Sequence, residues 1–318
     1  GTAALHVACL AAGIGSGDEV ITTSITFAAS ANCVCYCGAT PVFADIDPIT
    51  YNIDWRDVER KITPKTKAII PVHFAGQPCD MEELHRLAEE NSLLIIEDGA
   101  HALGAEYKGE KIGALSDMTT FSFHPVKHIT TGEGGMVTTN NESLYQRLLL
   151  FRSHGITRDR AFMKQTQGGW YYQQLELGYN YRISDIQCAL GISQMKRLPE
   201  FLRKRRQIAE RYNRELSGLE GVVLPVQREE TNSSWHLYVI QLTKRERGEA
   251  FDILRRAGIG VNVHYLPVYQ HPYYQNHGYR EVHCINAEEL YGKILSIPIF
   301  PGLTEKEQTY VIENIRKL

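Results

Sequence analysis

KAIIPVHFAGQPCDMEELHRLAEENSLLIIEDGAHALG, residues 67–104, decides the fold. KAIIPVHF is an apolar run of strand length. DMEELHRLAEEN is apolar at helical spacing, with Asp80 as a plausible N-cap. LLIIED is a second apolar run. Strand, helix and strand in so short a span form a βαβ crossover. Strands that are apolar throughout belong to a mostly parallel sheet covered on both faces.

The same alternation continues on both sides. Upstream lie a helical stretch at 2–13, a strand at Glu19–Thr23, helical FAASANCVCYCG, strand TPVFADI and helical DWRDVERKI. Downstream, Met118–Phe123 and Gly135–Thr139 read as strands and 141–153 as a helix. Residues 155–182, rich in Gly, Tyr and Gln, read as a long loop, a kind of segment that is usually functional or disordered. Ser184–Leu216 is a long amphipathic stretch, and Pro199 predicts a kink or break in it. After it come strand-like Val222–Leu224 and His236–Leu242, helical Glu246–Ala257, strand-like Gly260–Tyr265 and two further helices. The organisation predicted is a large α/β domain at 1–183, a connecting helix at 184–216 and a small α+β domain at 217–318.

The chain has 318 residues, 43% hydrophobic and 22% charged, enough for a sizeable core. Lys plus Arg is 34 and Asp plus Glu is 37, a net charge of −3. That balance gives no broad electrostatic reason to bind nucleic acid or an anionic membrane. No apolar run is long enough to span a bilayer, and no secretory leader is visible. The seven cysteines then read as reduced thiols in a cytoplasm. Cys33, Cys35 and Cys37 cluster in CVCYCG, but without a matching second pair they read as packed thiols and not as metal ligands; no metal is expected.

GIGSG at 13–17 follows a helix and precedes a strand, the reverse of a dinucleotide fingerprint, so it reads as a helix stop and turn. In LLIIEDGAHALG, Glu97 and Asp98 end an apolar strand, where open α/β sheets place their ligands. A structural ion pair and a site are equally good readings of those acids, and His101 could face the same pocket. TTFSFHPVKHITTGEGGMVTT, residues 119–139, sharpens the choice. Lys127 lies between an apolar strand and a Gly-rich segment, where a lysine can lose its proton and attack carbonyls. Ser122, five residues before it, could bind a phosphate. An acid at one strand end and this Ser-Lys pair after another suit a pyridoxal phosphate enzyme. In such enzymes a lysine bonds the cofactor aldehyde and an Asp holds the pyridine nitrogen protonated.

GTAALH, EDGAHALG, SFHPVKHITTGEGG and GYNYRISDIQCALG, in this order, resemble the DegT/StrS family of nucleotide-sugar aminotransferases, over essentially the whole chain. The resemblance implies a fold-type I transferase with a seven-stranded, mostly parallel sheet. FHPVKHITTGEGG, FRSHGI, NSSWHLYVI and VHYLPVYQHPYY look like the branch of pseudaminic acid biosynthesis. That branch aminates C4 of a UDP-4-keto-6-deoxy-N-acetyl hexosamine, with L-glutamate as donor.

Carried over, the resemblance makes Lys127 the cofactor-bonding lysine and proton shuttle, and Asp98 the partner of the pyridine nitrogen. His101 stands near the cofactor oxygen and Phe27 stacks on its ring. Thr2 and Ala3, opening a helix, and Ser122 hold the phosphate. Asn180 reaches the phosphate of a neighbouring subunit, which implies a homodimer with a shared active site. His264 and Tyr265 lie near the sugar nucleotide, with His154 and His236 as weaker candidates. Arg158, Arg160 and Lys164 could meet the diphosphate. Family members carry an N-terminal arm before the segment at Gly1, so a missing arm is expected. The alternatives are amination of another nucleotide sugar at C3 or C4, a sugar 3-dehydratase, and a non-catalytic regulator. Dehydratase relatives replace the lysine with histidine, and here Lys127 is present.

Overall fold

The computed structural model describes residues 1–318. The first part runs α1 (Thr2–Ala11), β1 (Glu19–Thr23), α2 (Ala29–Tyr36), β2 (Thr40–Ala44), α3 (Trp55–Lys61) and β3 (Thr66–Ile70). It continues through α4 (Met81–Asn91), β4 (Leu94–Asp98), the short strands β5 (Glu106–Tyr107) and β6 (Glu110–Lys111), β7 (Met118–Ser122) and β8 (Gly135–Thr138). Next come α5 (Glu142–Arg152), β9 (Ile156–Thr157), β10 (Gln173–Gln174) and the long α6 (Asp185–Leu216). The C-terminal part holds β11 (Val222–Val223), β12 (Thr231–Asn232), β13 (Tyr238–Leu242) and α7 (Arg247–Arg256). It ends with α8 (Pro272–Gln275), α9 (Ile285–Lys293), β14 (Ile294–Ile297) and α10 (Glu305–Ile315).

The main sheet has six strands in the order β2-β1-β3-β4-β7-β8, not the seven expected. All pairs are parallel except the last, in which β8 returns antiparallel to β7. Neighbouring residues of one strand feed opposite layers. Ile21, Ile69 and Ile95 pack against Met81, Leu84 and Leu87 of α4. Val20, Ala68, Ile70 and Ile96 pack against α1, α2 and α5. Both faces are therefore buried, which is why these strands carry apolar residues on both faces.

Three local expectations in this part of the chain are corrected. Asp80 occupies the N-cap of α4, but its side chain does not cap. Its carboxylate instead accepts from the Tyr107 hydroxyl (3.1 Å) and from Arg228 (3.1 Å). Glu82 and Glu83 in the first turn complement the helix dipole in its place. The 155–182 segment is not all loop, because β9 and β10 pair antiparallel. Pro199 does not break α6, which runs unbroken from a Ser184–Gln187 capping box. Proline forfeits one backbone hydrogen bond. The helix holds because Leu198 and Leu202 are buried in the main core while Ile208, Ala209, Tyr212 and Leu216 anchor its far end in another.

That other core lies between the end of α6, α7, α10 and the antiparallel sheet β11-β13-β14. Gly260–Tyr265 is not a strand; only Asn262 makes an isolated bridge, to Ser296. The strand there is β14, hidden from sequence reading because it follows α9 without a turn. Three helices, not two, follow α7. No helix is long and apolar enough to cross a membrane.

Candidate active site

The carboxyl ends of the parallel strands converge on one region. Asp98 ends β4 and Ser122 ends β7. The β7–β8 connection carries Lys127, whose backbone N–H donates to the His124 carbonyl (2.9 Å).

The adjacent acids of β4 divide. Pleating sends them to opposite faces. Glu97 is the structural one: its carboxylate lies 2.7 Å from His73 Nε2 and accepts from Thr119 Oγ1 at 2.8 Å. Asp98 is buried but has no ion-pair partner. Ser30 Oγ, from α2, donates to it at 2.7 Å, and the Ala100 N–H at 3.1 Å. These two donors hold the carboxylate while leaving room for a cation on it. Sequence reading missed Ser30, since nothing local marks a serine that acts across the sheet.

Burial lowers the Lys127 ammonium to about 8, with the Asp98 charge opposing that shift. Lys127 is therefore neutral far more often than a surface lysine. Histidines surround it. His101 is buried, Tyr265 Oη lies 3.3 Å from its Nε2, and its Nδ1 has no hydrogen-bond partner. Burial, reinforced by the Lys127 charge, keeps His101 well below the usual imidazole range, so it is neutral. His264, with Nδ1 2.8 Å from Ser296 Oγ, is lowered to about 4, by burial first and then by Lys127.

A close-packed cradle of backbone adjoins Ser122. A Cβ on Gly1 would lie 2.9 Å from Ser122 Oγ, and one on Gly135 would lie 2.9 Å from Gly1 N. The free N–H groups of the first turn of α1, at Thr2 and Ala3, open there, with the positive end of the helix dipole behind them. Phe27, 61% exposed, stands 6.3 Å from the Tyr265 ring. An unpaired buried carboxylate, a lysine of lowered basicity, an orphaned imidazole nitrogen and an anion cradle fit pyridoxal phosphate.

Of the expected residues, Lys127, Asp98, His101, Ser122, Thr2, Ala3, Phe27, His264 and Tyr265 belong to this region. His236 is buried behind His101, with ring centroids 4.4 Å apart. Arg205 Nη1 and the Ala75 carbonyl pin its backbone. His128, which sequence reading passed over, packs against His236 as well, its ring centroid 5.2 Å away and tilted. His154 and Asn180 lie elsewhere in this chain. Both are exposed, joined by the Ser153–Asn180 bridge and by the His154 N–H bond to the Tyr179 carbonyl. Arg158, Arg160 and Lys164 are also exposed, and Arg158 lies 6.0 Å over the Tyr172 ring.

Gly76 lets three loops meet behind His101. A Cβ there would lie 2.6 Å from Ser234 Oγ, 2.8 Å from Trp235 N and 2.9 Å from the His101 carbonyl oxygen, at φ +100°. Gly76→Ala is expected to cost about 3 kcal/mol or more, from overpacking plus left-handed strain. A thermal melt should show Tm lower by roughly 6–12 °C.

The DegT/DnrJ/EryC1/StrS aminotransferase family model matches residues 1–316. The spore coat polysaccharide biosynthesis protein SpsC of Bacillus subtilis is 41% identical, over 100% of this chain and 83% of its own length. GDP-perosamine synthase of Escherichia coli O157:H7 is 38% identical, with the same coverage. Among solved structures, a Streptococcus pneumoniae protein assigned as a sugar aminotransferase, in its PMP form, superposes with TM-score 0.93. It is 33% identical, and the match covers 99% of this chain and 85% of that one. Helicobacter pylori PseC, an aminotransferase of pseudaminic acid biosynthesis, superposes with TM-score 0.91 at 33% identity, covering 99% and 84%. The chain thus belongs to the DegT/DnrJ/EryC1/StrS family of pyridoxal phosphate-dependent sugar aminotransferases.

Proposed function

We propose that this chain moves an amino group from L-glutamate to C4 of a UDP-4-keto-6-deoxy-N-acetyl hexosamine, in pseudaminic acid biosynthesis. The observation that carries the transamination reading is Lys127, lowered to about 8 beside an Asp98 that has no ion-pair partner of its own. The motifs shared with the pseudaminic branch and the superposition on PseC support the choice of sugar. The greater sequence identity to GDP-perosamine synthase keeps other 4-keto nucleotide sugars as the second reading.

When bound, pyridoxal phosphate supplies an aldehyde for the amine and a ring that accepts electrons. The chain's residues do the rest. Ser122 Oγ and the N–H groups of Thr2 and Ala3 bind the phosphate. Asp98 keeps a proton on the ring nitrogen. His101, neutral, donates to the cofactor oxygen, and Phe27 covers the ring face. Lys127 Nζ would hold the cofactor through its aldehyde and would carry the proton between donor and acceptor carbons. His264 and Tyr265 form the wall on the sugar side.

Asn180 serves the phosphate of a second copy, so the working form is a homodimer. Support comes from one exposed apolar stretch: Trp170 is 75%, Leu177 78% and Ile186 85% solvent-exposed. Ile186→Asp is expected to yield monomers by light scattering and to lose activity with the shared site. A dimer with unchanged mass would remove this element.

The test is an absorbance spectrum of the protein with pyridoxal phosphate, before and after L-glutamate. A yellow protein that glutamate bleaches performs the first half-reaction. UDP- and GDP-linked 4-keto sugars are then compared, with NMR of the product to locate the nitrogen. Faster turnover of the GDP sugar, or nitrogen at C3, would replace the sugar assignment.

A further inference from the structure

Thr26, in the turn before α2, makes no contact with Asp98 of its own. It is buried, and its Oγ1 stands 2.8 Å from Ser30 Oγ. Ser30 and Asp98 are buried with it. Ser30 Oγ therefore has three polar neighbours: Asp98 Oδ2 at 2.7 Å, Thr26 Oγ1 at 2.8 Å and the Phe27 carbonyl oxygen at 3.3 Å. A serine hydroxyl has one hydrogen to give.

One distribution of hydrogens serves these contacts. An ionised carboxylate only accepts, so the short contact with Asp98 takes the Ser30 hydrogen. Were that hydrogen turned to Thr26, two acceptor oxygens would face each other at 2.7 Å in the interior. The Phe27 carbonyl, at 3.3 Å, is the weaker competitor. Toward Thr26, Ser30 Oγ then accepts, and the Thr26 hydroxyl donates. The row runs Thr26 to Ser30 to Asp98 with its dipoles aligned. Hydrogen bonds so aligned in a low dielectric strengthen one another. The Thr26 bond also holds the Ser30 hydrogen toward Asp98 and away from the Phe27 carbonyl.

We propose that Thr26 is a positioning residue of the cofactor site. Acting through Ser30, it stabilises Asp98 as the anion, so that a proton shared between Asp98 and the cofactor ring stays on the ring nitrogen. The inference rests on Asp98 being the partner of that nitrogen, and not on which sugar is used. A purely structural Thr26 would satisfy a buried hydroxyl and fill space, with no effect on where that proton sits.

The proton is located by 15N NMR of the intact protein loaded with pyridoxal phosphate labelled at the ring nitrogen. The signal of a protonated ring lies far from that of a neutral one. Thr26→Val keeps the shape and removes the hydroxyl, whereas Thr26→Ser keeps the hydroxyl and removes a methyl group. The expected result is a shift toward the neutral position in Thr26→Val, smaller than in Ser30→Ala, and none in Thr26→Ser. Added to Ser30→Ala, Thr26→Val should move the signal no further, because its only route is through that serine. The rate at which L-glutamate bleaches the protein should fall roughly three- to fivefold in Thr26→Val, the net effect of one neutral hydrogen bond.

Asp98→Asn is the control. If it leaves the 15N signal in place, the reading of Asp98 fails and this inference with it. If Asp98→Asn moves the signal and Thr26→Val does not, the inference about Thr26 alone is overturned. Equal shifts in Thr26→Val and Thr26→Ser, or a full further shift on top of Ser30→Ala, overturn it as well, since they mark an effect of packing. If Thr26→Val does not fold, Thr26→Ala removes the same hydroxyl and is judged by the same shifts.

Discussion

Lys127→Ala is expected to stop transamination, with the rate falling by on the order of 10⁴-fold or more, because it removes both the attachment of the cofactor and the proton carrier. The purified variant should still bind pyridoxal phosphate through the phosphate cradle but form no bond to it that borohydride can fix. The unaltered apoprotein adds a pH test. Only neutral Lys127 attacks an aldehyde, and its ammonium sits at about 8. Cofactor attachment should rise about tenfold per pH unit up to about 8 and then level off. An ordinary lysine would keep rising to about 10.4. The stability linkage has a matching sign. Between about 8 and the ordinary lysine value the unfolded chain binds the extra proton, so stability rises with pH in that window. A Lys127→Ala variant within tenfold of the normal rate would assign the chemistry to another group.

The parallel sheet was legible because buried strands carry a signal at every residue. Residues 67–104 contain a whole crossover, and their two strands pair in register, Ala68 with Leu94 and Ile69 with Ile95. Elements that depend on distant partners were less legible. β14 is defined by pairing with β13, and β9 by pairing with β10, neither of which leaves a local pattern. Pro199 was misread because local propensity argued against packing at both ends of α6, and packing prevailed. At the site, Lys127 and Ser122 could be found because they sit in one loop and strand. Glu97 and Asp98 could not be told apart. What separates them is His73 on one and Ser30 on the other, and both partners are remote in sequence. His236 shows the same limit: sequence shows a histidine beside a strand, and only the neighbouring rings of His101 and His128 show what it packs against.

Asp98→Asn should be the second most damaging substitution. Asparagine keeps the shape: its oxygen can still accept from the Ala100 N–H, and its NH2, in place of the oxygen that accepts from Ser30 Oγ, can donate to that hydroxyl, so the fold should hold. What is lost is the negative charge that keeps the cofactor nitrogen protonated. Removing one member of a buried charge pair costs about 3–5 kcal/mol. If that is felt in the transition state, kcat falls by roughly 10²- to 10³-fold or somewhat more. The same carboxylate is what opposes the lowering of Lys127, so without it the attachment profile should shift to lower pH. A kcat loss together with that shift separates loss of the Asp98 charge from general disruption, which would lower the rate at every pH alike. Ser30→Ala tests the support behind the acid. It removes a hydrogen bond to a charged group, worth about 1.5–3 kcal/mol, and should cost on the order of tenfold in kcat. If Ser30 acts only by holding the Asp98 charge in place, Ser30→Ala should cost much less in the Asp98→Asn background, as coupled residues do. Fully additive losses would mean that Ser30 serves the site by another route, and an Asp98→Asn variant of normal rate would mean that the ring nitrogen finds its charge partner elsewhere.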